Sequence, residues 1–273
     1  MKTLQNQTLL YDKDCPLCNA YTSGFIKAKL LDQNGRKAYC DINSKDYDFV
    51  DLKRAANEIA LINTKNNTVI YGIDSMLKVI GNALPWVEKI GHVKPVKFCL
   101  KKLYSFISYN RKVIIPSKED KNQRLQCVPD FNFKYRYIYI LFTAIVTSIV
   151  LFKFSKTISS IPESNFIREC LIALGQIGFQ ALFISKLKTQ KQLTYIGNLM
   201  TISLLGSLIL IPVLIINSLV NLPEIGLLAW FGLTVSIMLY EHIRRVRLLE
   251  LKSYLSFTWV IYRLLILVLI LNL

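Results

Sequence analysis

The pattern of hydrophobic and polar positions divides the chain into two parts. Residues 1–134 mix short apolar runs with charged segments, as a water-soluble domain does, whereas long uncharged runs begin at Tyr137. About 130 residues are enough to enclose one hydrophobic core. The pattern therefore predicts a folded domain over residues 1–115, a basic linker over residues 116–136 and a membrane domain over residues 137–273.

Short strands alternate with helices in the first part. The predicted strands are residues 7–12, 37–43, 58–63 and 68–72. The predicted helices cover residues 16–31, 45–56, 74–84 and 95–114. A strand–helix–strand start followed by a hairpin indicates an α/β domain with a mixed sheet, parallel first and antiparallel after.

The second part contains five apolar segments that are candidate membrane spans: residues 137–152, 170–185, 195–220, 225–241 and 254–273. A helix needs about 20 mainly apolar residues to cross a bilayer. The second segment is the weakest, because Gln176 and Gln180 interrupt it. Arg263 in the fifth segment needs a partner inside the bundle, unless the last helix is shifted. The sequence YEHIRRVR (240–247) is interpreted as a headgroup anchor, with an anion or quinone-headgroup site as the alternative.

Lysine and arginine residues predict the orientation in the membrane. The net charge is +16, and a basic stretch from Lys89 to Lys134 directly precedes the first span. Basic residues also follow the second and fourth spans, whereas the loop after the third has none. This alternation predicts a multi-pass protein of a bacterial inner membrane, with the N-terminal domain in the cytoplasm. The same placement favours contact with the lipid bilayer over binding of nucleic acid.

The sequence YDKDCPLCN (11–19) suggests a specific chemistry. It follows a predicted strand and begins a predicted helix. Cys15 is therefore expected at a helix N-terminus, where unpaired N–H groups and the helix dipole stabilise a thiolate. Cys18, one turn later, can close a disulfide with it. In a redox pair, an exposed Cys15 would attack a substrate disulfide and Cys18 would resolve the mixed disulfide.

Other interpretations of these residues are open. The two cysteines can instead bind a soft metal, with Cys40 as the nearest third thiolate, or they can be buried and catalytically silent. Asp12, the last residue of the strand, either exchanges protons with the inner cysteine or has a solvated or capping role. Asn110 and Arg111, at the end of the last helix, either hold an acid within the domain or form a solvated face.

These residues resemble the DCC family of thiol-disulfide oxidoreductases, which is named for an Asp-x-x-Cys-x-x-Cys start. Asp12, Cys15 and Cys18 match that start. The resemblance continues through three later segments: CDIN (40–43), YGIDSMLKVI (71–80) and LYSFISYNRKVI (103–114). It implies a thioredoxin-like fold and disulfide-reductase activity. Two features depart from the expected pattern, because Lys13 replaces the usual glycine and no proline begins the third strand.

The sequence therefore predicts an α/β thioredoxin-like N-terminal domain joined to an all-α transmembrane helical domain. The predicted function is a membrane-tethered thiol-disulfide oxidoreductase of the protein-disulfide reductase type, acting on a protein thiol or disulfide client. Its expected catalytic residues are Cys15, Cys18 and Asp12, without a cofactor or a metal, and Cys15 is expected to be alkylated much faster than Cys18. The alternative is a non-catalytic membrane assembly or interaction protein whose thioredoxin-like domain binds a client or a soft metal.

Overall fold

A computed structural model describes residues 3–4, 6–42, 47–118, 125 and 127–272. The chain forms two compact units, residues 1–135 and 136–273. Asn43, at the end of the second predicted strand, and residues 45–46, at the start of the second predicted helix, lie outside the described residues. Residues 119–124 and 126 of the predicted linker also lie outside them.

A four-stranded mixed sheet forms the centre of the first unit, with the order β2-β1-β3-β4. The strands are β1 (Gln7–Tyr11), β2 (Arg36–Ala38), β3 (Ala60–Asn63) and β4 (Thr68–Tyr71). β1 pairs in parallel with β2 and antiparallel with β3, and β3 pairs antiparallel with β4. The predicted mixed sheet, parallel first and antiparallel after, is confirmed.

The second strand is shorter than predicted. It ends at Ala38, and Tyr39–Asp41 form a 3-10 helix. Tyr39 is buried, and its hydroxyl donates to the carbonyl of Leu52 at 2.9 Å. The strand ends here because this contact with a later segment turns the chain into the core, which the local pattern does not encode.

Among the described residues of the first unit, five helices accompany the sheet: α1 (Pro16–Lys27), α2 (Leu52–Asn57), α3 (Ile73–Ala83), α4 (Pro85–Gly91) and α5 (Lys94–Ile114). Proline lies in the first turn of α1, α4 and α5, where its missing N–H removes no helical hydrogen bond. Helix α4 was not predicted. It has only seven residues, which is too short for an apolar period to identify a helix.

Both faces of the sheet carry apolar side chains, because successive residues of a strand point to opposite faces. One face joins the cluster of Leu4, Leu9, Leu31, Ile59, Leu61 and Val79. The other face joins the cluster of Leu10, Tyr39, Ile42, Val50, Ala55, Ala60 and Ile62. Apolar clusters therefore cover both faces of the sheet.

The remainder of the chain forms five helices that are long and apolar enough to span a membrane: α6 (Phe133–Ser155), α7 (Phe166–Ile184), α8 (Thr189–Val220), α9 (Glu224–Leu248) and α10 (Tyr254–Leu271). The predicted all-α domain with five candidate spans is confirmed. Gln176 and Gln180, which interrupt the apolar pattern of α7, are both buried. These two residues therefore mark the packed face of α7.

Arg263 lies within α10, which begins at Tyr254 as predicted, and the proposed shift of the last helix is not observed. The guanidinium carbon of Arg263 lies 4.0 Å from the ring centroid of Trp259. An aromatic face attracts a cation electrostatically, so the ring provides the expected partner inside the helical bundle.

The YEHIRRVR segment is partly buried among the helices of the second unit, and its interpretation as a headgroup anchor stays a prediction. His242 and Arg245 are buried. Arg245 pairs with Glu241 at 2.8 Å and donates to Oδ1 of Asn198 at 2.9 Å. A buried charge requires such a partner, and these contacts connect α9 to α8.

Alanine substitution of two glycines tests which backbone positions of the first unit require glycine. Gly72 has a φ of +64°, and a Cβ there would lie 2.7 Å from Oε2 of Glu58. We expect Gly72→Ala to lower the free energy of unfolding by about 1–3 kcal/mol. Gly24→Ala, in α1, places a Cβ with nothing within 4 Å and is expected to raise it by about 0.5–1 kcal/mol.

Both effects are measured by heating the full chain in detergent. The midpoint of unfolding of the first unit is the temperature at which a protease begins to release peptides from residues 1–115. Gly24→Ala is the matched control, because it changes the same residue type in the same unit. An unchanged midpoint for Gly72→Ala contradicts the prediction.

Candidate functional site

Cys15 lies at the junction of β1 and α1, as the pattern predicts. It directly precedes the helix, with a φ of −92° and a ψ of 110°, and Pro16 follows it. The backbone N–H of Cys15 donates to the carbonyl of Asp12 at 3.3 Å, and that of Asp14 donates to Oδ1 of Asp12 at 3.0 Å. These bonds form a tight turn that sets Cys15 at the N-terminus of α1, where the backbone N–H groups have no helical partner.

Both cysteines of the pair are buried free thiols. Cys15 is 0% exposed and Cys18 is 6% exposed. The expectation that the first sulfur is exposed is therefore wrong. Ser117, just beyond α5, donates a hydrogen bond to the carbonyl of Asp14, so the chain after α5 lies against the turn that carries Cys15.

The proton is shared unequally between the two cysteines. Hydrogen bonds from the thiol and the backbone N–H of Cys18 lower the pKa of Cys15 to about 6, although burial opposes this. The same thiol–thiolate hydrogen bond, together with burial, raises the pKa of Cys18 far above that of an ordinary thiol. At neutral pH, Cys15 is thus the thiolate and Cys18 the thiol, which is the charge distribution of a nucleophile beside a resolving thiol.

Arg111 brings the end of α5 to this turn. Its Nη2 lies 3.4 Å from Oδ2 of Asp12 and donates to the carbonyls of Ala56 and Cys127 at 3.0 and 3.2 Å. Arg111 and Asn110 are both buried. The interpretation of these two residues as a solvated face is wrong, and the alternative, in which they hold an acid of the same domain, is confirmed for Arg111.

Asp12 is enclosed by positive charge. It is 4% exposed, and its Oδ2 lies 3.3 Å from Nζ of Lys112 in addition to its contact with Arg111. A solvated position for Asp12 is therefore excluded. Its predicted proton exchange with Cys18 stays a prediction.

The guanidinium of Arg111 is the central charge of the site. Burial by itself would lower its pKa, but Cys18, Cys127 and Asp12 together raise it above the ordinary value. Arg111 therefore stays charged, and this charge contributes to lowering the pKa of Cys15. A residue near the end of α5 thus lowers the pKa of the cysteine that precedes α1.

Cys127 belongs to the same cluster, and the sequence did not reveal it. Its Sγ lies 3.6 Å from Nη2 of Arg111 and 3.8 Å from the carbonyl of Ala56. Burial raises the pKa of this thiol to about 12. No local pattern could have identified it, because it lies outside regular secondary structure and reaches the site through a contact with α5.

Cys40 has different neighbours from the cysteine pair. Its thiol donates to Oδ1 of Asp41 at 3.3 Å, and Lys13 lies beside it. Within the described part of the chain, no group of three or more His, Cys, Asp and Glu side chains is arranged to hold a metal ion.

A mixed sheet with a C-x-x-C pair at the start of its first helix defines a thioredoxin-like domain. A family model described as DCC1-like thiol-disulfide oxidoreductase matches residues 9–115. The match includes Asp12, Cys15, Cys18 and Arg111, and it ends before Cys127. Searches of curated proteins and of solved structures found no match. The predicted combination of this domain with candidate membrane helices is confirmed.

The titration of Cys15 can be measured by alkylation. We expect its reaction with iodoacetamide in the full chain to rise with pH around a midpoint of about 6, because the thiolate forms there. Cys18 should stay unreactive over the same range. Mass spectrometry of the peptide of residues 14–27 distinguishes the two sites, and the exposed Cys99 serves as the reference for reagent activity. Equal labelling of Cys15 and Cys18, or a midpoint above about pH 8, contradicts the assignment.

Arg111→Met tests the central charge. We expect it to raise the alkylation midpoint of Cys15 and to destabilise the first unit by up to about 3–5 kcal/mol, because Asp12 loses its most buried counter-charge and keeps only Lys112. Arg111→Lys keeps a charge and should preserve more of the low midpoint. The matched control is Arg54→Met, which removes a half-exposed partner of Glu58 and should cost about 1 kcal/mol or less. An unchanged Cys15 midpoint in Arg111→Met refutes the electrostatic role.

Proposed function

We propose that the protein is a membrane-tethered thiol-disulfide oxidoreductase that reduces disulfides of a protein client. The observation that carries the proposal is the hydrogen-bonded pair at the start of α1, in which the pKa of Cys15 is about 6. The family match supports thiol-disulfide exchange. The five long apolar helices support the membrane tether.

The reaction follows from the charge distribution of the pair. The Cys15 thiolate attacks one sulfur of the client disulfide, forming a mixed disulfide, and the other client sulfur leaves as a thiolate that takes up a proton. Cys18 then loses its proton and attacks Sγ of Cys15. This step releases the second client thiol and leaves a Cys15–Cys18 disulfide, which an external thiol must reduce.

Arg111 and Asp12 act as positioning residues in this proposal. The guanidinium stabilises negative charge as it moves between the sulfurs, and the ion pair with Asp12 keeps the guanidinium in place. Proton transfer from Cys18 to Asp12 is the second role available to the carboxylate. A resolving step in Asp12→Asn that is slower and has lost its pH dependence would indicate the second role.

The burial of Cys15 favours one other candidate function, a non-catalytic membrane assembly or interaction protein that binds its client without exchange. In the redox proposal, client binding supplies the free energy that displaces the residues covering Cys15. The two functions differ in whether a covalent client intermediate ever forms.

The proposal places the N-terminal domain in the cytoplasm. Basic residues before α6 and after α7 and α9 support this orientation through the positive-inside rule. A reducing compartment also provides the thiols that a disulfide reductase consumes.

Trapping tests the proposed function. We expect Cys18→Ser in the full chain to accumulate a mixed disulfide between Cys15 and a client, because the resolving thiol is absent. Non-reducing electrophoresis and mass spectrometry identify the adduct. Cys15→Ser should trap no client, and Cys40→Ser should behave as the unmodified protein. If Cys18→Ser yields no adduct at Cys15, the non-catalytic function is favoured.

A further inference from the structure

We propose that Cys127 is a third redox thiol of this site, through which an external monothiol re-reduces the buried Cys15–Cys18 disulfide. The inference rests on the proposed function, because it describes how the oxidised pair returns to its starting state. Cys127 lies beyond residues 9–115, so the family match does not include it.

Accessibility separates Cys127 from the pair. Cys15 and Cys18 are buried, whereas Cys127 is partly exposed. A protein client can displace covering residues with its own binding energy, but a small monothiol makes too few contacts to do so and reacts with the pair only slowly, when the covering residues open spontaneously. Since thiol-disulfide exchange depends on access to the attacked sulfur, a partly exposed cysteine of the same chain is the better entry point.

The position of Cys127 is held by the same guanidinium that serves the pair. Nη2 of Arg111 contacts both Sγ and the carbonyl oxygen of Cys127, at 3.6 and 3.2 Å, and lies 3.4 Å from Oδ2 of Asp12. Cys127 also packs against the hydrophobic cluster that includes Leu10 and Tyr39. Cys127 is therefore connected to the turn that carries Cys15 through Arg111 and Asp12.

The charge of Arg111 explains when Cys127 reacts. In the reduced protein, Cys15 carries the negative charge near Arg111, and burial raises the pKa of Cys127 to about 12, so Cys127 is an unreactive thiol. Oxidation of the pair removes the Cys15 thiolate. Arg111 then has one fewer anionic neighbour and stabilises a thiolate on Cys127 instead. The third thiol is thus activated by the oxidised state that it serves to reduce.

The exchange balances in three steps. Cys127 loses its proton and attacks Sγ of Cys15, forming a Cys15–Cys127 disulfide while Cys18 leaves and takes up a proton. An external thiolate then attacks Sγ of Cys127, and Cys15 leaves as the thiolate, for which its low pKa makes it a good leaving group. A second external thiolate releases Cys127, which is protonated. The net change converts two monothiols into one external disulfide and restores the dithiol.

Disulfide mapping of the full chain in detergent tests the intermediate. We expect Cys18→Ser, treated with diamide and then blocked with N-ethylmaleimide, to give a cross-link between the tryptic peptides of residues 14–27 and 125–134. The double variant Cys18→Ser/Cys127→Ser should lack it, and Cys18→Ser/Cys99→Ser should retain it. Absence of this cross-link, with Cys127 fully labelled by the maleimide, overturns the proposal.

The rate of re-reduction gives a second measurement. With glutathione as the probe, we expect Cys127→Ser to re-reduce the Cys15–Cys18 disulfide at least about tenfold more slowly than the unmodified chain, because the accessible sulfur is missing. Cys99→Ser should react at the unmodified rate. An equal rate for Cys127→Ser also overturns the inference, and the Cys18→Ser cross-link remains informative if Cys127→Ser does not fold.

The outcomes separate this inference from the proposed function. A Cys15–Cys127 cross-link in Cys18→Ser, with no client trapped on the double variant Cys18→Ser/Cys127→Ser, in which neither thiol can resolve a mixed disulfide, would refute the reductase function while retaining the third thiol. Trapped client with neither a cross-link nor a slower re-reduction would refute the third thiol alone.

Discussion

The first domain depends on the buried ion pair between Asp12 and Arg111. The two residues are 99 positions apart, and both are almost fully enclosed. A buried charge is stable only with a hydrogen-bonded counter-charge, so each residue requires the element that carries the other. The pair thereby joins the end of β1 to the end of α5 and positions the turn that holds Cys15. The family match spans both residues, which is consistent with a domain closed by this contact.

Cys15 is activated as a thiolate although it is buried, and Arg111 contributes to this activation. Burial disfavours a charged sulfur, but the hydrogen bonds from Cys18 and the nearby guanidinium outweigh this and lower the pKa of Cys15. The reactive form is therefore prepared inside the protein, where solvent oxidants and small thiols have little access. An enclosed thiolate needs a route for exchange. Client binding and a partly exposed third thiol at Cys127 provide two such routes in the proposals made above.

Polar residues of the candidate membrane helices follow a related rule. Gln180 accepts hydrogen bonds from the hydroxyls of Tyr195 and Thr258 at 3.1 and 3.2 Å, which connects α7 to α8 and α10. The hydroxyl of Tyr195 also contacts Nε2 of His242 in α9 at 3.2 Å. In an apolar surrounding, such groups find their partners on neighbouring helices. Polar interruptions of an apolar segment therefore indicate packed faces of a helical bundle.

The sequence by itself determined the features whose information is local. The strand, turn and C-x-x-C helix start, the mixed sheet, the five apolar helices and the family resemblance could all be predicted, because periodicity and helix-start chemistry act over a few residues. The tertiary structure alone decided the burial of Cys15, the pairing of Arg111 with Asp12, the early end of β2 and the position of Cys127. Each of these depends on a contact between segments that are distant in the chain. A helix N-terminus is a local property, but only the segment that packs over it decides whether its sulfur is covered and which charge lies beside it.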